Sequence, residues 1–258
     1  MNAVSRASAL EVEGLNTSYS LRTGVLSVLE DVSFAVAPGE FVALLGPSGS
    51  GKSTLLNILA GLERPGRGTV RIGGSAAGLP LIAYMQQKDL LLPWRTLWDN
   101  VLLAPEIRSA AERARAADKA REWLKAFHLF EFRHAYPAQL SGGMRQRAAL
   151  IRTLLCEREI LLLDEPFGAV DALTRRRLQR HLLRVWETLD KTVILVTHDV
   201  EEAILLATRI VLLSSRPGRI VESIDVLPPH SVRPQSAETF RLKSRILETL
   251  EQSDAAAL

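Results

Sequence analysis

The residues with the clearest chemistry form a glycine-rich segment that ends in lysine, serine and threonine. It fits the pattern G-x-x-x-x-G-K-[ST] and consists of Gly46, Pro47, Ser48, Gly49, Ser50, Gly51, Lys52, Ser53 and Thr54. Glycines allow successive backbone amides to turn around phosphate oxygens, and the helix predicted after them adds partial positive charge. In this pattern Lys52 contacts the β- and γ-phosphates, where it also serves catalysis, and Ser53 ligates Mg²⁺. The segment therefore predicts a site for a nucleoside triphosphate with Mg²⁺. The alternative is an ordinary glycine-rich turn.

Two carboxylates follow a second apolar run. Asp164 and Glu165 come directly after residues 160–163, Ile-Leu-Leu-Leu. A carboxylate at a strand tip can hold Mg²⁺, and we assign that role to Asp164. Because side chains alternate along a strand, Glu165 should point elsewhere and be free to deprotonate the attacking water. The alternative is two exposed acids that close a strand.

A histidine ends a third apolar run. His198 follows residues 193–196 and Thr197. From there it can hydrogen-bond to the γ-phosphate and to the water, so we predict a catalytic role. The alternative is a histidine whose hydrogen bonds are satisfied within a loop.

These groups are positioned by short apolar segments. Residues 41–45, 160–163 and 193–196 are each about one strand long and apolar without alternation. That pattern is typical of parallel strands covered on both faces. Ligands of open α/β sheets bind beyond the carboxyl ends of the strands, so the three tips should meet at one site.

The rest of the chain has other periodicities. We predict antiparallel strands with one exposed face within residues 10–36, a sheet strand at 81–85, a helical insert over 94–138, edge strands at 209–213 and 218–221, and an amphipathic helix at 237–251. Apolar residues of that last helix should lie near one side: Phe240, Leu242, Ile246, Leu247 and Leu250.

Composition narrows the class of protein. The 258 residues are 47% hydrophobic and 24% charged, ordinary globular values, and a net charge of +3 is too small to argue for nucleic acid. The single cysteine, Cys156, excludes an internal disulfide and fits a reducing cytosolic setting as a small buried side chain. No apolar run reaches the roughly 18 residues of a membrane span, and residues 1–9 lack the apolar stretch of a signal peptide.

A second anion site is encoded by Leu-Ser-Gly-Gly-Met-Arg-Gln-Arg at residues 140–147. A serine and two glycines that open a helix offer free amides to an anion. This segment resembles the signature of ATP-binding cassette (ABC) ATPases. The resemblance implies ATP hydrolysis in a head-to-tail pair of chains, in which Ser141, Gly142 and Gly143 of each copy hold the γ-phosphate of the other.

The resemblance also implies the fold. It predicts an α/β protein with a P-loop NTPase (RecA-like) core, an antiparallel β subdomain and a small helical insert. We divide the chain into a flexible terminus at 1–9 and a single ABC ATPase domain at 10–250. Within that domain, 10–92 and 139–225 form the nucleotide-binding core and 93–138 the helical subdomain. Residues 226–258 form a C-terminal helix and tail.

Three further residues take roles from the resemblance. Tyr19 is similar to the aromatic that stacks on adenine, although it also suits an ordinary strand. Gln87 resembles the glutamine that contacts Mg²⁺ and links the site to the insert; we prefer it to Gln86 for its distance before Leu-Leu-Pro-Trp. Asp171 belongs to a segment that crosses between the paired chains. Gly168 departs there from the commonest serine, which leaves the details of that contact open.

A membrane partner is implied by the segment that opens the insert. Residues 91–95 open the insert with apolar bulk. In the transporters that the chain resembles, this region forms a groove for a short helix of the membrane subunit, and Trp94 and Trp98 fit the bias of interfaces toward aromatic residues. The alternative is that both tryptophans pack inside the insert. This segment and residues 213–220 resemble the nitrate, sulfonate and taurine importer branch. The basic run at 175–177 with Arg180 is interpreted as a solvated helix face, with a nucleic-acid or lipid contact as the alternative.

The expected partners are therefore a second copy, integral membrane permease subunits and, indirectly, an external solute-binding protein, with no nucleic acid. The expected location is peripheral, on the cytoplasmic face of the inner membrane. Competing functions are a soluble ABC ATPase acting on DNA or ribosomes, an unrelated nucleotide-dependent enzyme or switch such as a kinase, and export instead of import. The sequence does not identify the solute.

Overall fold

The computed structural model describes residues 8–73, 82–226 and 237–255, which form two sheets and their flanking helices. The strands are β1 (Leu10–Leu21), β2 (Gly24–Val36), β3 (Phe41–Leu45), β4 (Arg67–Ile72), β5 (Ile82–Met85), β6 (Ile160–Asp164), β7 (Thr192–Thr197), β8 (Arg209–Leu213) and β9 (Ile220–Asp225). The helices are α1 (Lys52–Leu59), α2 (Leu97–Val101), α3 (Ala110–Ala126), α4 (Gly142–Leu154), α5 (Ala172–Leu189), α6 (Val200–Leu206) and α7 (Ala237–Ala255).

The larger sheet has the strand order β5-β6-β7-β3-β8-β9, with β9 antiparallel and the other strands parallel. The three non-alternating apolar runs are its central strands β3, β6 and β7, and every residue of these strands is buried. This confirms the prediction of parallel strands covered on both faces. Their carboxyl ends carry the phosphate-loop, carboxylate and histidine positions to one edge.

Successive side chains along these strands point to opposite faces of the sheet and pack into two separate hydrophobic cores. Ala43 and Leu163 face the layer made by the helices from α2 to α7. Leu44 and Leu162 face α1 and the smaller sheet. Burial on both faces stabilises the strands whose tips form the site, at roughly 25 cal/mol per Å² of apolar surface.

The smaller sheet is antiparallel, with the order β2-β1-β4. It confirms the antiparallel strands predicted within residues 10–36 and adds β4. Residues 1–7 of the predicted flexible terminus lie outside the described residues. Ala9 already donates a backbone hydrogen bond to Val36, 2.8 Å long, so the last residue of that predicted terminus joins the sheet.

The predicted insert carries helices and short turns between β5 and α4. It contains α2, α3 and 3-10 turns at Pro105–Ile107, Phe130–Phe132 and Pro137–Gln139, and none of its residues, all of which are described, lies in a strand. A capping box starts α3, since Ser109 and Glu112 exchange side-chain and backbone hydrogen bonds.

Two expectations for the C-terminal part were wrong. β8 is an interior strand between β3 and β9, because its apolar residues are buried on both faces; only β9 lies at the edge. In α7, Ile246 is buried but Phe240 is 71% exposed, so the apolar residues do not share one face. Phe240 and Leu242 are two positions apart, about 200° around a helix with 3.6 residues per turn. The predicted strand residue Leu81 lies outside the described residues, as do 227–236 and 256–258 of the predicted tail.

Candidate functional site

The glycine-rich loop joins β3 to α1 and leaves the first turn of the helix open. Gly51 precedes α1 with a φ of 91°, a left-handed conformation that favours glycine, and no side chain caps the helix. A Cβ at this position would lie 2.7 Å from Leu29 Cδ2, so close packing also requires glycine. The uncapped amides at the start of α1 are therefore available to an anion.

Lys52 lies across this loop. Its Nζ donates to the backbone oxygens of Gly46 at 2.8 Å and Pro47 at 2.7 Å, and to Ser50 Oγ at 3.2 Å. Only 7% of the residue is exposed. Burial lowers the pKa of Lys52, while the charges of Glu165 and Asp164 oppose that shift. The loop oxygens thus hold the Lys52 ammonium in place, and the oxygens of a bound phosphate could accept the same hydrogen bonds.

Asp164 ends β6 and is 2% exposed. Burial raises the pKa of its carboxyl group, against hydrogen bonds from Ser53 and Tyr84. Its Oδ1 is buried without a hydrogen-bond partner. A buried carboxylate oxygen without a hydrogen-bond partner, next to the Ser53 hydroxyl, is a suitable ligand for a hard cation that prefers oxygen. Asp164 and Ser53 therefore fit Mg²⁺.

Glu165 is turned into the site by the backbone. Its φ of 48° is unusual for a non-glycine residue, and its N–H donates to the Val196 carbonyl at 2.9 Å. Glu165 lies in a bend directly after β6, so the alternation within a strand that we expected does not apply to it. Oε1 lies 3.2 Å from His198 Nδ1, and Oε2 accepts from Gln87 Nε2 at 3.3 Å.

The structure thus brings together residues predicted separately. Glu165 contacts both Gln87 and His198, and its charge acts on Lys52. The His198 side chain is 62% exposed, whereas that of Glu165 is 22% exposed. A carboxylate fixed between a glutamine and a histidine beside a phosphate loop can accept a proton from water and orient it.

Gln146 was missed as a functional residue, although it lies within the 140–147 motif. It is 6% exposed, and its Nε2 donates to the Glu165 carbonyl at 2.6 Å while its Oε1 accepts from Ala169 N at 2.7 Å. The backbone of the predicted base is therefore held on α4. The available signal was a glutamine on the apolar face of α4, where a polar side chain needs a partner.

The first turn of α4 is half-buried behind an exposed N-cap residue. Ser141 is exposed and caps its own helix, since its Oγ accepts from Met144 N at 3.3 Å. Gly143 packs on the neighbouring loop, because a Cβ there would lie 3.0 Å from the Ala169 carbonyl. The role of Ser141, Gly142 and Gly143 toward a phosphate of a second chain stays a prediction.

Tyr19 stands beside the start of α1. It is 38% exposed, and its hydroxyl donates to Glu63 and also bonds with Thr54. Burial is the largest cause that raises the pKa of Tyr19, and the Glu63 hydrogen bond acts in the same direction. The ring is fixed at the end of the phosphate loop, where its role toward adenine stays a prediction.

Asp171 is exposed at the start of α5. Its Oδ1 accepts from Thr174 N at 3.1 Å, so it caps the helix, and that backbone hydrogen bond lowers the pKa of the carboxyl group. Its predicted role between paired chains stays a prediction.

The segment after Gln87 is tied to α4. Asp89 accepts from Arg145 Nε at 3.0 Å, and Arg152 donates to the carbonyls of Asp89 at 2.6 Å and Leu90 at 2.7 Å. The loop that follows Gln87 is therefore held on the same helix as the Glu165 loop.

Trp94 and Trp98 have different environments. Trp94 is 71% exposed, whereas Trp98 packs partly buried against the core with the Arg121 guanidinium over its ring. The loop that carries Trp94 is held by the buried Asn100. Its Oδ1 accepts from Leu92 N at 2.7 Å, and its Nδ2 bonds to three carbonyls of the loop. One tryptophan is thus presented outward on a fixed loop.

No helix among the described residues is both long and apolar enough to cross a bilayer.

Comparison with known proteins places this geometry in context. The family model described as ABC transporter matches residues 29–168. An aliphatic sulfonates import ATP-binding protein of Bacillus cereus is 39% identical over 245 residues, which cover 94% of this chain and 96% of that protein. A taurine import ATP-binding protein of Pseudomonas aeruginosa is 45% identical over 85% of this chain and 84% of that protein. The dimeric post-hydrolysis structure of the ATP-binding cassette MJ0796 with ADP and phosphate is 30% identical, with a TM-score of 0.76 over 85% of this chain and all of that one.

Proposed function

The chain belongs to the ABC transporter family of ATPases, and on that premise we propose that it is the ATP-hydrolysing subunit of an importer for a small solute. The observation that carries this proposal is the outward Trp94 on a loop fixed by Asn100, a few residues after the glutamine that contacts Glu165. This arrangement links a nucleotide site to a surface suited to an aromatic contact with a partner.

Each residue of the site has one task in this proposal. Lys52 and the amides of residues 46–54 hold the β- and γ-phosphates, and Tyr19 stacks on adenine. Ser53, Gln87 and Asp164 hold Mg²⁺, which neutralises phosphate charge when it is bound. Glu165 accepts the proton of the attacking water.

His198 orients that water against the γ-phosphate, held by its contact with Glu165. Positioning and charge neutralisation account for most of the rate in phosphoryl transfer, so the hydrogen bonds that hold the Glu165 backbone matter to this proposal.

A second copy completes the site. Ser141 is exposed and Gly143 is half-buried, at a helix start with no acidic residue in its first turn. We assign them, with Asp171, to the nucleotide of the facing copy, as in a head-to-tail pair. The dimeric state of MJ0796 supports this arrangement.

The membrane partner is a permease subunit that docks on the helical part at residues 93–138, and the chain would lie peripherally on the cytoplasmic face. The names of the two relatives support import of an organic sulfonate, delivered by an external binding protein. Nitrate remains within the class expected from residues 91–94 and 213–220.

The test compares two aromatic residues of equal exposure. Trp94 and Phe240 are both 71% exposed, the first on the fixed loop and the second on α7. Trp94→Ala should retain basal ATP hydrolysis and lose co-purification with the permease subunits, because a central aromatic anchor typically contributes about 2 kcal/mol or more to an interface. Phe240→Ala should behave as wild type in both assays. Equal retention of the permease by both variants would refute the docking surface.

A further inference from the structure

The basic run at the start of α5 is not uniformly solvated. Arg176 and Arg177 are exposed, as expected for a solvated helix face, but Arg175 is turned inward with 31% of its side chain exposed. The interpretation of the whole run as a solvated face is therefore wrong at its first residue. Arg175 lines one small cavity together with Glu165, Phe167 and His198.

Arg175 joins two segments that are distant in sequence. Its Nη2 donates to the Val170 carbonyl at 3.0 Å, and its Nη1 lies 3.4 Å from Asp199 Oδ2. The first contact holds residues 168–171, the segment expected to cross between paired chains. The second reaches the residue directly after His198.

Asp199 fixes the turn that carries His198. Its Oδ1 accepts from the backbone amides of Glu201 at 2.9 Å and Glu202 at 3.2 Å, and its own N–H donates to Thr197 Oγ1 at 3.0 Å. One carboxylate oxygen thus caps α6 while the other faces Arg175. A shift of the guanidinium would act on Asp199, and through it on the adjacent histidine.

The contacts of Arg175 are better suited to fixing the positions of its neighbours than to stabilising the fold. Its Nε is buried without a hydrogen-bond partner, and an unpartnered buried donor opposes folding. The planar guanidinium can span a carbonyl and a carboxylate at a fixed angle, which the single ammonium of lysine cannot do.

We propose that Arg175 is a positioning residue that holds the His198 turn in register with residues 168–171, so that closure on a second copy and orientation of the attacking water occur in one geometry. This inference rests on the proposed role of His198 in hydrolysis. Arg175 does not touch the phosphate loop, so its effect should fall on kcat.

The experiment measures steady-state ATP hydrolysis by Arg175→Met, with Arg176→Met and Arg177→Met as matched controls on the same helix. Arg175→Met should lower kcat about tenfold with an unchanged KM for ATP, since misplacement of a catalytic group by 1 Å costs up to about 100-fold. The two controls should keep the wild-type kcat. A wild-type kcat in Arg175→Met would overturn the inference.

A second background identifies the route. In His198→Ala, addition of Arg175→Met should change the single-turnover rate little, because groups that act as a unit are not additive. A further tenfold loss in that background would overturn positioning through His198. If Arg175→Met does not fold, Asp199→Asn takes its place, because it keeps an oxygen for the α6 cap and removes the carboxylate that faces Arg175. The same losses in kcat are then expected in the wild-type and His198→Ala backgrounds, and the same results would overturn the inference.

Failure of the underlying function is distinguishable. A wild-type rate in His198→Ala alone would refute the catalytic role of the histidine. A slow His198→Ala with a wild-type Arg175→Met would refute only the positioning role.

Discussion

Replacement of Gln146 by alanine should weaken both folding and hydrolysis, because this buried amide holds the Glu165 loop on α4. The change removes the donor to the Glu165 carbonyl and the acceptor for Ala169 N, at 2.6 and 2.7 Å.

The magnitude follows from the two groups left behind. A buried polar group without a partner costs about 1–3 kcal/mol, and water will reach part of this loop, so we expect a loss of roughly 3 kcal/mol in the free energy of unfolding. For a domain of this size that corresponds to a fall in Tm of about 6–12 °C. A displacement of Glu165 by about 1 Å should lower kcat by about 10- to 100-fold.

Thermal unfolding and steady-state kinetics test these values together. The KM for ATP should stay near the wild-type value, because Gln146 does not contact the phosphate loop. Gln252→Ala makes the same chemical change at an exposed position of α7 and should alter neither quantity. A Gln146→Ala protein with wild-type Tm and kcat would refute the reasoning that α4 positions the base.

Three other outcomes are expected. Glu165→Gln should elute as a dimer with ATP and hydrolyse slowly, because it keeps the shape of the side chain but loses the base; a monomer with normal turnover would contradict the paired site. Glu63→Ala should raise the KM for ATP by about two- to tenfold at constant kcat, since Tyr19 loses one hydrogen bond of about 0.5–1.5 kcal/mol; a fall in kcat alone would contradict a role at adenine. Burial raises the folded-state pKa of Asp164 above 3.8, so the native state binds the proton more tightly and stability is lost as pH rises from 3.8 through the folded pKa. Asp164→Asn should therefore raise Tm at neutral pH, with a gain that shrinks toward acid pH; a gain that does not change with pH would contradict this origin.

Much of the fold was predictable because its signals are local. The central strands are continuous apolar runs, and the phosphate loop, the two carboxylates and the histidine come directly after three of them. Residues 209–213 carry the same apolar signal, yet we placed them at an edge, because neighbouring strands in a parallel sheet are set by crossovers that the sequence does not encode locally.

The site was predictable as a set of residue types but not as a network. Nothing in the spacing of Gln146 or Asn100 indicates the backbone groups they bind, since those partners are up to 23 residues away and depend on the packing of α4 and α2. Residue type alone does not distinguish Arg175 from Arg176. Which of the two arginines faces inward depends on where each lies around the helix axis.

The thirteen residues of α4 extend over about 20 Å. Its N-cap, Ser141, is exposed. Gln146 in its middle hydrogen-bonds to the Glu165 loop, and Arg152 near its end hydrogen-bonds to the segment that follows Gln87. A shift of α4 as a rigid body would move both loops together. Under the proposed function, a second copy that docks at Ser141 would therefore act on the Glu165 loop and on the segment behind Gln87 through one helix.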